Sequence, residues 1–281
     1  MAFNKGVTRE DALDILLDME DSNTDGFGFG YVVNGQFHGQ KWKKSLTKVL
    51  RDKRNKVFEH LKDGDFSGWT LAHVRAASKG IICKANSHPF VVGNYLGVHN
   101  GHWPDSDLVR AAMGGKYTSA TDSEVAMNLI NKVGIKKFSH LVNYGGVFLM
   151  LNKSGCLHIA KVSGDLTFAE LEDKSTLISS ELDDEEFENQ VEAEQGWYIF
   201  NAEGRLVQNW EKYKKSGPID CSNIPDAPDV LDSATETLAN PYSRHSLANL
   251  TQNQREFIRL SILRKQHNQH VTNYGGWHEY D

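Results

Sequence analysis

The chain is short of the features that usually assign a protein early. Cysteine occurs three times in 281 residues, as Cys83, Cys156 and Cys221. An odd, widely spaced set with no CxxC pair excludes a disulfide framework and reads as reduced thiols in a cytoplasmic protein. No apolar run approaches the ~20 residues that a membrane-spanning helix needs. The N-terminus lacks a signal-peptide pattern, so neither a membrane nor an export route is expected. Positive charge is not in excess: 31 Lys and Arg stand against 37 Asp and Glu, a formal net charge of −6. That balance excludes nucleic-acid binding by bulk electrostatics. Proline is scarce, and four of the six (Pro218, Pro225, Pro228, Pro241) crowd into residues 216–242, where an irregular linker is expected.

What is present fits an ordinary globular domain, with 39% hydrophobic and 24% charged residues. Thr8-Arg-Glu-Asp11 predicts a capped helix start, with Ala12, Leu13, Leu16 and Leu17 as its apolar face. Residues 25–35 predict a Gly-rich strand closing on an Asn34-Gly35 hairpin turn. A lysine-rich helix is expected from about Lys44 to Leu61. Strands are expected at Trp69–Val74 and at 147–151, 157–162, 176–179 and 197–200, a hairpin at 90–99, and a helix from Asp122 to about Val133. Strands and helices fall in blocks, which indicates an α+β fold with antiparallel sheets rather than a parallel sheet. Beyond the linker, Thr251-Gln-Asn-Gln254 predicts a C-terminal helix to about His267. The expected organisation is a domain at 1–212, then a linker with a helix at 213–281.

The chemistry lies in a series of short motifs. Leu71-Ala-His73-Val-Arg75-Ala-Ala-Ser78-Lys79-Gly80 precedes Asn86-Ser-His88-Pro89-Phe90, then His99-Asn100-Gly101, then Thr121-Asp122-Ser123-Glu124. An arginine fork can grip a carboxylate, and an aspartate can hold an ammonium group. An Asn-Gly pair can offer an amide and a backbone N–H to an oxyanion. In this order the motifs resemble the glutaminase domain of class II glutamine amidotransferases, which are N-terminal-nucleophile (Ntn) hydrolases, in particular the stand-alone glutaminase-like branch. Asp25-Gly26-Phe27-Gly28 and Ser179-Ser180-Glu181 extend the resemblance over roughly residues 1–210.

The resemblance implies a four-layer αββα sandwich of two antiparallel sheets. It implies Arg75 for the α-carboxylate of glutamine or a related small amide, Asp122 for its ammonium, Ser78 as a further substrate-binding residue, and Asn100 with Gly101 as the oxyanion hole. It implies no metal and no cofactor. The ammonia acceptor is expected on a separate synthase, because the C-terminal part is short. The family's nucleophile is an N-terminal cysteine, whereas this sequence begins Met1-Ala2-Phe3-Asn4. The cysteine would therefore have to lie upstream of Met1. The alternative is a catalytically silent Ntn-fold protein acting as an amino-acid binder or interaction platform, so whether the chain is an enzyme stays open at this point.

The other candidate residues have blander readings. His73, His88, His99 and His102 do not have the spacing of a zinc site. Cys83 lacks the free α-amine that activates an N-terminal nucleophile, and reads as a loop thiol. The basic run from Lys41 to Lys56, with Trp42 inside it, reads as a solvated helix face rather than a nucleic-acid grip.

Overall fold

The computed structural model describes residues 1–209, apart from Lys5, 62–65, Ser67, Asn143, 172–174 and 183–188. The expected linker, the Thr251 helix and the boundary at 212 lie outside the described residues. The chain divides into two units, residues 1–106 with 115–213, and 107–114 with 214–281. The first unit carries both sheets. Among the described residues the second is represented by most of one short helix, α3 (Ser106–Met113).

Two antiparallel sheets form the centre of the first unit. One has seven strands, in the order β11 (Gln190–Glu192), β9 (Thr167–Glu170), β10 (Thr176–Ser179), β1 (Ala2–Phe3), β4 (Thr70–Arg75), β2 (Gly26–Val33) and β3 (Gln36–Trp42). The second has six: β13 (Leu206–Asn209), β12 (Gly196–Phe200), β8 (Leu157–Lys161), β7 (Val147–Asn152), β6 (Tyr95–Asn100) and β5 (Phe90–Val92). Alternation along each strand sends side chains to two different cores. Ala2, Leu71 and Ile178 of the first sheet meet Leu96, Val98, Leu149, Leu157 and Phe200 of the second. On its other face the first sheet packs Phe3, Phe27, Phe29 and Leu177 against Leu13 and Leu16 of α1 (Arg9–Asp18), and against Leu46 and Val49 of α2 (Leu46–Leu50). Beyond the second sheet, Met127 of α4 (Asp122–Val133) joins Phe90 and Val92, and Phe138 of α5 (Ile135–Leu141) meets Phe148 edge-on. The layering is α, β, β, α, as the resemblance implied.

Local chemistry explains most element boundaries. Thr8 Oγ1 accepts from Asp11 N, and Asp11 Oδ2 accepts from Thr8 N, the reciprocal cap read from the sequence. Asn34 and Gly35 take φ of 49° and 73°, the left-handed pair of a type I′ turn. The long helix expected from Lys44 to Leu61 is a correction. After α2, only a single 3₁₀ turn (Glu59–Leu61) is helical. Arg51 to Lys56 contains no apolar residue to continue a buried stripe. Asp52 Oδ1 accepts from Arg54 N instead, and Asn55 Nδ2 donates to Val49 O. Such side-chain bonds compete with helical ones. Strands β9, β11 and β13 and helices α3 and α5 were not expected. No helix among the described residues is long and apolar enough to cross a membrane.

Candidate active site

The carboxyl ends of β4 and β6, one from each sheet, converge with the start of α4 around a cavity of about 340 Å³. Arg75, Ser78, Asn100, Gly101 and Asp122 all line it. The sequence separates these residues by up to 47 positions, and the fold brings all five together. It adds Asn23, His73, Lys79, His88, His99, His102 and Ser123 to the walls.

Arg75 ends β4 and is 3% exposed. Nη2 donates to Lys79 O at 2.8 Å, while Nη1 is buried with no hydrogen-bond partner among the described residues. Burial lowers its pKa, against the pull of Asp25 and Asp122. The turn after Arg75 is pinned from β2: Asp25 N donates to Arg75 O, and Asp25 Oδ2 accepts from Ala77 N at 2.9 Å. Glycine is required just beyond. A Cβ on Gly28 would lie 2.1 Å from His88 O, so the segment carrying His88 packs directly on the β2 backbone. Ser78 lines the cavity but is exposed.

Asp122 does not cap α4. Thr121 is the cap, accepting from Glu124 N, and Asp122 is the first helical residue, 3% exposed. One carboxylate oxygen accepts from Trp103 N at 2.7 Å and lies 3.4 Å from His102 Nδ1. At a helix N-terminus its negative charge is favoured by the peptide dipoles.

Asn100-Gly101 is likewise no hairpin turn. The pair closes β6, with Asn100 exposed, and sits against Gly145-Gly146. A Cβ on Gly146 (φ 96°) would fall 2.0 Å from Asn100 O, so glycine there sets the approach.

Three histidines surround the inner end. His99 Nε2 meets Gly145 O at 2.5 Å, and Ser123 Oγ lies 3.0 Å from His99 Nδ1. A carbonyl can only accept, so Nε2 carries the proton and Nδ1 accepts from the serine. His73 Nε2 faces His99 O at 3.0 Å and donates by the same logic. That leaves His73 Nδ1 a bare acceptor, buried and without a partner among the described residues. The His88 ring lies against that of His73, with centroids 4.1 Å apart and planes tilted by 34°, and neither of its ring nitrogens has a partner there either. Burial pushes His73 down to about 3, with the Met1 ammonium adding to the effect. Burial holds His88 well below its usual value, followed by repulsion from His73. Burial also lowers His99, although Asp122 opposes it. All three are therefore neutral near pH 7. Among the described residues, no group of three or more His, Cys, Asp or Glu is arranged to hold a metal ion. Cys83 lies half-buried in the loop ahead of the Lys84–Asn86 turn and outside the cavity wall. Motif reading named the histidines only as metal candidates; their place inside the same motifs as Arg75 and Asn100 was the signal for a role in this wall.

Met1 pairs with β4 one residue before His73 and acts on that ring electrostatically. Its nitrogen donates to Ala72 O at 3.0 Å, and Ala72 N donates back to Met1 O. As a free amine this nitrogen would be lowered to about 5 by burial, with Glu181 opposing.

No family model matches the chain. A glutamine–fructose-6-phosphate aminotransferase [isomerizing] of Vibrio cholerae serotype O1 is 32% identical over 92 residues, 31% of this chain and 15% of that enzyme. Two solved structures share the fold at 19% identity. A glutamine phosphoribosylpyrophosphate (PRPP) amidotransferase from B. subtilis, complexed with ADP and GMP, aligns at a TM-score of 0.56 over 74% of this chain and 48% of its own. The allosteric regulatory enzyme of purine biosynthesis aligns at 0.54 over 72% and 47%. The chain thus spans about half the length of each of these solved structures and a smaller part of the V. cholerae enzyme.

Proposed function

We propose that this chain, which has the fold of class II (Ntn-type) glutamine amidotransferase domains, binds free glutamine and hydrolyses its side-chain amide to glutamate and ammonia. The observation that carries the reading is Arg75. It is a buried guanidinium whose Nη1 has no partner among the described residues, on the wall of a cavity whose other wall bears the buried carboxylate of Asp122. Unpaired buried charge is costly, and a carboxylate ligand would supply the missing partner. Asp122 would take the α-ammonium. An α-amino acid carries both groups on one carbon.

Strand register supports a position for the nucleophile. Ala2 pairs with Leu71 and Phe3 with Thr70, so Met1 opposes Ala72 and a residue ahead of Met1 would oppose His73. Met1 packs in the outer core and Ala2 between the sheets. A residue ahead of Met1 would therefore face the inter-sheet side, beside the free Nδ1 of His73. We assign a cysteine to that position. The Met1 nitrogen would then be a peptide N–H making the same bond to Ala72 O, without the cost of a buried ammonium.

In the reaction the cysteine sulfur attacks the amide carbon while its proton passes to its own α-amine and on to the leaving nitrogen. Asn100 Nδ2 and the Gly101 N–H would hold the oxyanion. Ammonia departs, and water then cleaves the γ-glutamyl thioester to glutamate. Two of the similar proteins are by name an aminotransferase and an amidotransferase, which favours delivery of the ammonia to an acceptor. Cys83 and Cys156 are both unpaired, consistent with a reducing, cytoplasmic setting.

The test is the N-terminal peptide of protein from its native source, weighed before and after treatment with a diazo-ketone analogue of glutamine. A peptide that begins with cysteine ahead of Met1 and gains the analogue's mass supports turnover. A peptide beginning at Met1 or Ala2, in a protein that still binds glutamine, favours the second reading, a silent amino-acid binder. That reading has its own support: no cysteine lines the cavity among the described residues.

A further inference from the structure

The run Asn86-Ser87-His88-Pro89-Phe90 is the motif to which the clamps and the oxyanion hole give no task. Asn86 ends the Lys84–Asn86 turn and is 2% exposed. Its Nδ2 donates to Ile81 O at 2.8 Å, and its Oδ1 accepts from Ala120 N at 3.0 Å. One carboxamide thus joins two segments remote in sequence. Residues 76–82 continue from Arg75, with Ala76, Ser78 and Lys79 on the cavity wall, and residues 118–121 lead into α4 and Asp122.

Each segment is shaped to meet Asn86. Gly80 takes φ 79°, and a Cβ there would lie 2.7 Å from Asn86 Nδ2. Residues 118 and 119 are gripped from α4, where the Glu124 carboxylate accepts from both backbone N–H groups and both hydroxyls. Asn86 is itself fixed to the first sheet. Lys41 Nζ donates to Ala85 O and to Ser87 O, and Ser87 Oγ donates to Trp42 O.

We infer that Asn86 is a positioning residue that sets the spacing between the carboxylate clamp and the ammonium clamp, and through it the selectivity of the site for the L-enantiomer of its amino acid. The inference rests on the glutamine reading of the same cavity. With carboxylate and ammonium both fixed, the handedness of the α-carbon decides where the side chain points. A relaxed spacing lets the mirror image reach both clamps. A ligand that engages Arg75 alone does not sense the spacing.

The experiment is calorimetric titration of the full chain with L-glutamine, D-glutamine and 4-carbamoylbutanoate, which lacks the ammonium. Wild type is compared with Asn86→Ala and Asn86→Asp, and melting curves establish that each is folded. Asn86→Asp keeps an oxygen for Ala120 N but turns an acceptor toward Ile81 O, and it serves where the alanine variant fails to fold. The expected result is a preference for L over D reduced roughly tenfold, with 4-carbamoylbutanoate affinity unchanged within about threefold. A merely structural role would weaken all three ligands alike, and that outcome overturns the inference. So does an unchanged L-to-D ratio, which leaves the glutamine reading standing. Wild type that binds none of the three overturns both.

Discussion

Replacing Arg75 with alanine should weaken glutamine binding strongly and leave the fold nearly untouched. The two halves of this expectation come from one feature. In the free protein the guanidinium is 3% exposed, Nη2 has a carbonyl acceptor, and Nη1 has no partner among the described residues. Burial lowers its pKa, although Asp25, Cys83 and Asp122 pull the other way. A group in that position does not stabilise the empty protein by much, because desolvation offsets its one good hydrogen bond. Its removal should therefore change the melting temperature by no more than about five degrees. Asp25 retains Ala77 N as a donor after the change.

With a carboxylate bound, the balance differs. Truncating one partner of a buried, hydrogen-bonded charge pair costs about 2–4 kcal/mol, so glutamine affinity should fall roughly 30- to 1000-fold. Titration calorimetry reads the affinity and scanning calorimetry the stability. For an active preparation, KM should rise by the same factor. Two results would refute the reasoning: unchanged affinity, or a melting temperature lowered by about ten degrees or more, which would make Arg75 a structural residue.

Four further outcomes are expected. Asp122→Asn should reduce glutamine affinity at least about tenfold by removing the charge that faces the ammonium; Thr121 still caps α4, so circular dichroism should show unchanged helix content. Stability should fall on acidification below about pH 6.5, because the buried histidines are neutral in the fold and the unfolded chain binds the extra protons. The window runs from the ordinary value of 6.5 down to about 3 for His73 and about 4 for His60, a partly buried ring in the Glu59–Leu61 turn stacked on Tyr31, and each contributes a slope of up to about 1.4 kcal/mol per pH unit within it; a flat melting profile between about pH 7.5 and 5 would contradict the burial assigned to them. Gly28→Ala should cost about 1–3 kcal/mol in urea unfolding, since its Cβ would meet His88 O at 2.1 Å. His73→Phe should preserve the ring's bulk but lose the free Nδ1, and in an active preparation should lower kcat more than it raises KM.

The scaffold was legible where one periodicity dominates. The α1 cap, the Asn34-Gly35 turn and the apolar runs of β4, β7, β8 and β12 each follow from a few neighbouring residues. The short edge strands were not, because β11 and β13 expose most of their side chains, including Val191, Leu206 and Val207, and leave no inward pattern to read. The Lys44–Leu61 stretch failed for another reason. Its composition favours helix, but Asp52 and Asn55 commit their side chains to turn bonds. At the site, Arg75, Ser78, Asn100, Gly101 and Asp122 were named from motif order, and their meeting in one cavity needed the fold. The histidine cluster was missed because ring contacts and tautomer depend on neighbours distant in sequence: His99 comes from β6, and its carbonyl fixes the proton on His73.

The cost of the cavity bears on the choice between a working site and a mere platform. An interaction platform gains nothing from a buried guanidinium with a partnerless Nη1, or from a histidine with two unsatisfied nitrogens in its interior. Each such group costs about 1–3 kcal/mol, and apolar residues of similar volume would fill the space with less penalty. The same cost is reasonable where a ligand arrives to satisfy the groups. Filling the cavity is the direct test. Arg75→Met with His88→Phe should raise the melting temperature by a few degrees while abolishing glutamine binding, if the polar lining exists for a ligand. If that pair instead destabilises the protein, the lining holds the fold together, and its polarity says nothing about a ligand.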